Sequence, residues 1–232
     1  MLEPNKILLV DVGNTRVKYA IDDGQRLSTI MVVSKLSELP LGGFSEIRVA
    51  AVSRHDEIDH WKSEIAINVR QAKVIKQHHN LTVAYNEVER LGVDRWLAML
   101  AVWCEKKTPA CVVDLGTAIT ADYISSEGMH LGGYIIPGFS LMKQSLGNNT
   151  ACVGFGSNGK GVDPGSVTEA CVDHGINRLV RSFLKYLLQA EPACHSLVVT
   201  GGDSSRLDYH GFEADISVDE ALVLRGLRYA FE

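Results

Sequence analysis

Ile7-Leu8-Leu9-Val10-Asp11-Val12-Gly13-Asn14-Thr15-Arg16-Val17-Lys18 is the stretch on which the fold turns. Its four leading apolar residues suit a strand buried on both faces, and Gly13-Asn14 supplies a tight turn. Val17, Tyr19 and Ile21 then alternate with Lys18 and Ala20 as a second strand. Asp22-Asp23-Gly24 turns the chain into a third strand at 29–33, which completes an antiparallel meander. The pattern restarts at Ala110-Cys111-Val112-Val113-Asp114-Leu115-Gly116-Thr117-Ala118, with further strands predicted at 119–124 and 130–136. One D-x-G-[NT]-[TA] signature therefore stands at Asp11 and again at Asp114, 103 positions on, each time where a strand enters a turn. Self-similarity of this kind predicts two related halves. The boundary falls near 106–109, giving domains 1–107 and 108–232.

Around these units the first half carries predicted strands at 47–52 and 69–75, a helix at 56–66, and an interior helix at 96–104 that is apolar almost all round. The second half continues with a helix at 139–146 and a polar, Gly-rich loop at 147–165. Ser166 and Glu169 form a capping box that opens a long helix, striped by Ile176, Leu179, Val180, Phe183, Leu184, Leu187 and Leu188. A strand at 197–200 runs into Gly201-Gly202-Asp203. Ser217 and Glu220 read as a second capping box before a terminal helix with Leu222, Leu224 and Leu227.

Composition narrows the function. The 232 residues carry a net charge of −5 without a basic run, which argues against a surface built to bind nucleic acid. Hydrophobic residues at 46% and charged residues at 22% are those of a globular chain. Five cysteines with no C-x-x-C pair point to a reducing cytosol and not to a disulfide framework. No signal peptide or membrane span is expected. Gly154-Phe155-Gly156-Ser157-Asn158-Gly159-Lys160 imitates a dinucleotide or P-loop motif, but Gly161, Asp163, Pro164 and Gly165 follow where a helix is required. His78 and His79, being adjacent, do not share a face and read as solvated surface.

The D-x-G turn has its own chemistry. Glycine lets backbone approach a ligand, and Asn14, Thr15 and Lys18 suit a phosphate chain while Asp11 suits its Mg²⁺. An ordinary hairpin turn is the alternative. Two copies, with a third glycine turn at Thr200-Gly201-Gly202-Asp203, favour the phosphate reading.

DVGNTRVK (11–18), LGVDR (91–95), DLGTAIT (114–120), GGYIIPG (132–138) and TGGD (200–203) together resemble type III pantothenate kinase, within the acetate and sugar kinase/heat-shock 70/actin superfamily. The resemblance implies an α/β fold of two RNase H-like (actin-like ATPase) domains, with mixed five-stranded-type sheets flanked by helices and an ATP cleft between them. It implies that Asp11, Val12, Gly13, Asn14, Thr15, Arg16, Val17 and Lys18 form the first phosphate loop, with Asp11 near Mg²⁺, and that Thr117 contacts ATP phosphates. Asp94 would be the catalytic base toward the primary hydroxyl of pantothenate. Gly92, Val93, Asp94 and Arg95 would line the substrate pocket with Tyr85, although 86–90 lacks the proline expected in that loop. Asp114 would hold a monovalent cation, K⁺ or NH₄⁺. Thr168 would reach pantothenate from the neighbouring subunit of a homodimer, through a dimerisation helix in the second domain. The implied activity is ATP-dependent formation of 4'-phosphopantothenate, the first step of coenzyme A biosynthesis, in the cytoplasm and without nucleic-acid or membrane partners.

The residues by themselves leave other readings open. Asp94 also suits a helix N-cap beside a surface Arg95, Asp114 a turn carboxylate, and Thr168 a capped first turn. An ATP-binding accessory protein of the same fold, or a kinase for another small hydroxy acid, are the rival functions.

Overall fold

The computed structural model describes residues 6–14, 16–149, 159–189, 196–212 and 215–232. In chain order its elements begin with β1 (Ile7–Val12), β2 (Val17–Asp22), β3 (Met31–Val33), β4 (Glu46–Ala51), α1 (His55–Glu64) and β5 (Val69–Gln71). A short hairpin of β6 (Gln77–His78) and β7 (Leu81–Thr82) precedes α2 (Val93–Lys106). There follow β8 (Ala110–Leu115), β9 (Ala118–Ile124), β10 (His130–Pro137), α3 (Phe139–Asn149) and α4 (Thr168–Gln189). The chain closes with β11 (Ser196–Thr200), β12 (Asp215–Val218) and α5 (Leu222–Tyr229).

Two compact units result: residues 1–107 with 221–232, and residues 108–220. Their sheets share one topology. Strand order is β3-β2-β1-β4-β5 in the first and β10-β9-β8-β11-β12 in the second. In each, the meander is antiparallel while the last two strands join it in parallel. The duplication inferred from the two D-x-G turns is thus a repeat of whole sheets.

Alternation along the strands builds the cores. In the first unit Leu8, Val10 and Val12 of β1 pack with Ile47 and Val49 of β4 against Ile58 and Trp61 of α1. The other face, with Leu9 and Ala50 buried, meets α5. In the second unit Cys111, Val113 and Leu115 of β8 pack with Val180, Leu184 and Leu187 of α4. At about 25 cal/mol per Å² of apolar area, side chains of this size each contribute roughly 1.5–3 kcal/mol when buried. Helix α2 is buried from Arg95 to Trp103, as its unbroken apolar run requires.

Apart from the strand expected at 69–75, which ends at Gln71, and the unexpected β6–β7 hairpin, four details depart from the sequence reading. The terminal helix α5 packs with the first unit instead of residues 108–220, because Gly226 lies flat on the Leu97 backbone of α2, where a Cβ would clash. Ser217 caps no helix. It pairs with Val198 in β12, and α5 begins only at Leu222, so parallel strand pairing has overridden local capping chemistry. The helix predicted at 139–146 runs on to Asn149, which takes Gly147, Asn148 and Asn149 out of the loop. His78 and His79 are not merely solvated. Positive φ at His79 (49°) and Asn80 (65°) makes the turn between β6 and β7, and both imidazole Nε2 atoms reach the Tyr229 carbonyl at 3.0 and 3.2 Å. Cys104, Cys111 and Cys171 form no disulfide with one another. Cys152, Cys194 and Thr15 lie outside the described residues, as does 154–158 of the P-loop lookalike.

The end of the chain is tied back through charge. Arg48 Nη1 donates to the Arg228 carbonyl (2.7 Å), and Arg228 Nε donates to the buried carboxylate of Asp22 (2.8 Å). Burial works against that carboxylate, but Arg228 and the Gly24 N–H outweigh it and hold the Asp22 pKa below the usual value. An acid depressed by folding stabilises the fold above its unfolded pKa, and the contribution is lost as pH falls through the folded one. The stability gap between wild type and Asp22→Asn in urea titrations is therefore expected to stay constant above about pH 5 and to close below about pH 4. A gap that persists unchanged at lower pH would show that the ion pair contributes nothing.

Candidate active site

Strand β1 delivers Asp11 to the end of the sheet, directly across from Lys18 on β2 in the antiparallel register. Between them the chain turns tightly, with the Gly13 N–H donating to the Arg16 carbonyl (3.1 Å). Val12 and Val17 are core residues whose side chains anchor this turn, while Asn14 and Arg16 are exposed above it. Because β4 runs parallel to β1, with Ala51 level with Val12, residues 53 and 54 emerge beside the turn. Ser53 Oγ donates to Asn14 Oδ1 (2.7 Å), and Arg54 Nη1 reaches the Gly13 carbonyl (3.4 Å). Arg54 sits in the left-handed region (φ 62°), an unusual state for a side chain of its size. Its guanidinium grips Glu57, whose carboxyl those hydrogen bonds hold below its ordinary range. Ser53 and Arg54 carried no signal in the linear sequence; only the parallel pairing puts them there.

A second group in the same unit gathers at the start of α2. Gly92 precedes the helix with Asp94 in its first turn, and the Asp94 carboxylate folds back over Gly92 so closely that a Cβ there would lie 2.5 Å from Oδ1. Asp94 Oδ1 also accepts the Arg95 N–H (2.8 Å). Arg95 is no surface charge. It is 7% exposed, and its Nη1 donates to the Tyr85 hydroxyl (3.3 Å) with the guanidinium 5.9 Å from the Tyr85 ring centroid. Tyr85, Gly92, Asp94 and Arg95, separated by up to ten positions, form one corner.

In the second unit Asp114 stands next to the last residue of β8, level with Thr200 of β11 and Thr120 of β9. Its carboxylate lies between two glycines: a Cβ on Gly116 would be 3.2 Å from Oδ1, and one on Gly201 would overlap it. Gly201 also has φ +97°, and the Asp203 N–H donates to the Leu115 carbonyl (2.9 Å), which ties the T-G-G-D turn to the D-x-G turn. Gly138, closing the G-G-Y-I-I-P-G stretch, presses on the carbonyls of Gly116 and Thr117 and donates its N–H to the latter (3.0 Å). Thr117 is exposed at the crest. Thr168, the first residue of α4, is exposed on the rim of an apolar cavity of about 630 Å³ lined also by Leu146, Val172, Ile176 and Leu179, and by none of 114–117. Lys160 of the P-loop lookalike donates to the Ser205 carbonyl (2.8 Å), and no helix follows it until Thr168.

No group of three or more His, Cys, Asp or Glu side chains among the described residues could cage a metal. Mg²⁺, however, is characteristically held by one or two carboxylates plus substrate phosphates, and Asp11, across from Lys18 at the end of β1, is a residue that could hold it. Asp114, its carboxylate set between Gly116 and Gly201, is the residue of the second unit that could hold a cation.

The type III pantothenate kinase family model matches residues 45–190. Proteins of that name from Marinobacter nauticus and Hahella chejuensis are 35% and 32% identical, each over 96% of its own length and 95% and 96% of this chain. The chain belongs to the type III pantothenate kinase family. Solved structures agree on the fold. A Baf family protein from Campylobacter jejuni is 22% identical with a TM-score of 0.64, covering 97% of this chain and 96% of its own. A ROK family glucokinase from Streptomyces griseus, in complex with glucose and AMPPNP, is 12% identical with a TM-score of 0.56, covering 96% and 98%. Among the described residues no helix is long and apolar enough to cross a membrane.

Gly201 and Gly202 test the cradle. Gly201→Ala, strained in φ and overlapping Asp114, should cost about 2 kcal/mol or more in urea unfolding. Gly202→Ala, which meets nothing within 4 Å, should stay within about 0.5 kcal/mol of wild type. Equal effects would deny the cradle its role.

Proposed function

We propose that this chain transfers the γ-phosphoryl group of ATP to the primary hydroxyl of pantothenate, giving 4'-phosphopantothenate at the entry to coenzyme A biosynthesis, and that it works in the cytoplasm. The observation that carries the assignment of roles is the corner at the start of α2, where Asp94 is folded over Gly92 beside the Arg95–Tyr85 pair. Phosphoryl transfer asks mainly for positioning and charge neutralisation. Asp94 accepts the hydroxyl proton of pantothenate. A carboxylate in a helix first turn is a weak base, but the proton leaves late in a loose transition state, so placement matters more than basicity. Arg95 and Tyr85 hold the acceptor, and Gly92 and Val93 contribute backbone. Gly13, Asn14, Thr15, Arg16 and Lys18 cradle the phosphates through amides and side chains, with Val12 and Val17 fixing the loop from beneath. Thr117 binds phosphate oxygens from the second unit. When bound, Mg²⁺ at Asp11 and K⁺ or NH₄⁺ at Asp114 supply neutralising charge to the phosphates.

Thr168 completes the acceptor site of the neighbouring subunit in a homodimer. Support comes from the apolar surface around it, where Val167 and Leu179 are 58% and 56% exposed. Patches of this kind mark interaction surfaces.

Mixing the protein with Mg-ATP, K⁺ and pantothenate and reading products by mass should show pantothenate gaining one phosphoryl group. Nucleotide binding without pantothenate-dependent ADP release would instead make the chain an accessory protein. Asp94→Asn should fold normally and lose at least about a hundredfold in kcat. Gly92→Ala suits the observed backbone (φ −56°, ψ 131°) but pushes the Asp94 carboxylate aside, so kcat should fall about tenfold or more at unchanged Tm. Near-normal turnover in both would remove Asp94 from the mechanism. Replacing K⁺ by Na⁺ should slow the reaction, and indifference to the ion would count against a cation at Asp114. Leu179→Asp should yield monomers in light scattering together with loss of turnover; an active monomer would refute the shared site.

A further inference from the structure

The segment 159–165 runs back along α4 toward that helix's own start, and side chains at 171, 173, 174 and 177 hold it there. Asn177 Nδ2 donates to the carbonyls of Gly159 (2.7 Å) and Gly161 (3.0 Å). His174 Nδ1 donates to the Asp163 carbonyl (2.7 Å), with Gly161 pressed so tightly on its ring that no Cβ would fit. Cys171 Sγ donates to the Gly165 carbonyl (3.2 Å), and Gly165 itself lies against the Ala170–Cys171 backbone. Asp173, 3% exposed, accepts the Gly159 N–H at Oδ2 (3.1 Å) and Lys143 Nζ of α3 at Oδ1 (2.7 Å). Every bond that α4 makes to the strap reaches its backbone, so the clasp sets the path of the chain into Thr168.

The arrangement is costly, which argues that it has a purpose. A buried Lys–Asp pair carries a desolvation penalty that stability alone seldom justifies. Asn177, 1% exposed, gives its amide nitrogen to the strap while its Oδ1 has no hydrogen-bond partner among the described residues. We propose that Asn177, Asp173 and His174, buttressed by Lys143, are positioning residues for Thr168, setting the hydroxyl that meets pantothenate; this rests on the acceptor-site reading of Thr168.

Asn177→Ala leaves the Lys143–Asp173 pair intact and releases two strap carbonyls. In the full-length protein it should raise KM for pantothenate about tenfold while kcat and KM for ATP stay within about twofold. Hydrogen exchange at 159–168 should accelerate, with the later turns of α4 unchanged. Combined with Thr168→Ala it should do no more harm to KM than Thr168→Ala alone, because the clasp acts through that hydroxyl. Should Asn177→Ala fail to fold, the half-buried His174→Ala carries the same expectations. An unmoved pantothenate KM, unchanged exchange, or additive effects would overturn the proposal while Thr168→Ala still raises KM. A Thr168→Ala variant with wild-type KM would instead overturn the acceptor-site reading itself.

Discussion

The carboxylate of Asp114 occupies space that a side chain at 201 would otherwise take and crowds one at 116, and the geometry of the second D-x-G turn follows from that exclusion. Here the acid lies level with Thr200 of the neighbouring parallel strand because the loops beyond both strands lack Cβ atoms at the point of approach. Gly116 meets the condition from its own turn, Gly201 from the end of β11, and Gly138 packs the loop from a third direction. Two glycines 85 positions apart thus make room for one carboxylate, and a third packs on the backbone of the turn that carries it.

The first unit meets the same demand differently. Its β4 stands where β11 stands in the second, yet the residue emerging beside the D-x-G turn is Arg54. Left-handed backbone is available to arginine at a cost, and the bidentate grip on Glu57 offsets it. Two copies of one topology therefore present different chemistry at matching strand ends: a bare glycine cradle around a carboxylate in one, an arginine against a loop carbonyl in the other. Ligand sites at the carboxyl ends of parallel strands are a general property of such sheets. The duplication supplies the position twice, and local residues decide what each does.

Much of this was legible in linear form because it is local. The D-x-G turns, the meanders, the apolar run of α2 and the stripe of α4 each depend on neighbours within a few positions. Asp114 stood out for the same reason, whereas Asp94 was marked only by the family resemblance of LGVDR, since an acid at a helix start equally suits an N-cap. What misled was also local: Ser217 has the chemistry of a helix cap and Glu220 completes the pattern, but pairing with β11 claimed the segment. Adjacent histidines ordinarily point apart, and only a turn with positive φ at His79 sends both to one carbonyl.

The order of residues alone therefore determined the main strands, the repeat and the carboxylates of the two D-x-G turns, since periodicity and turn chemistry are short-range. Tertiary structure decided which distant backbones touch: α5 against α2 through Gly226, Ser53 and Arg54 beside Gly13, a buried Arg95 on Tyr85, the strap against α4. Such contacts exist only after sheets have paired and helices have packed, and close packing admits one arrangement where the linear pattern permits many.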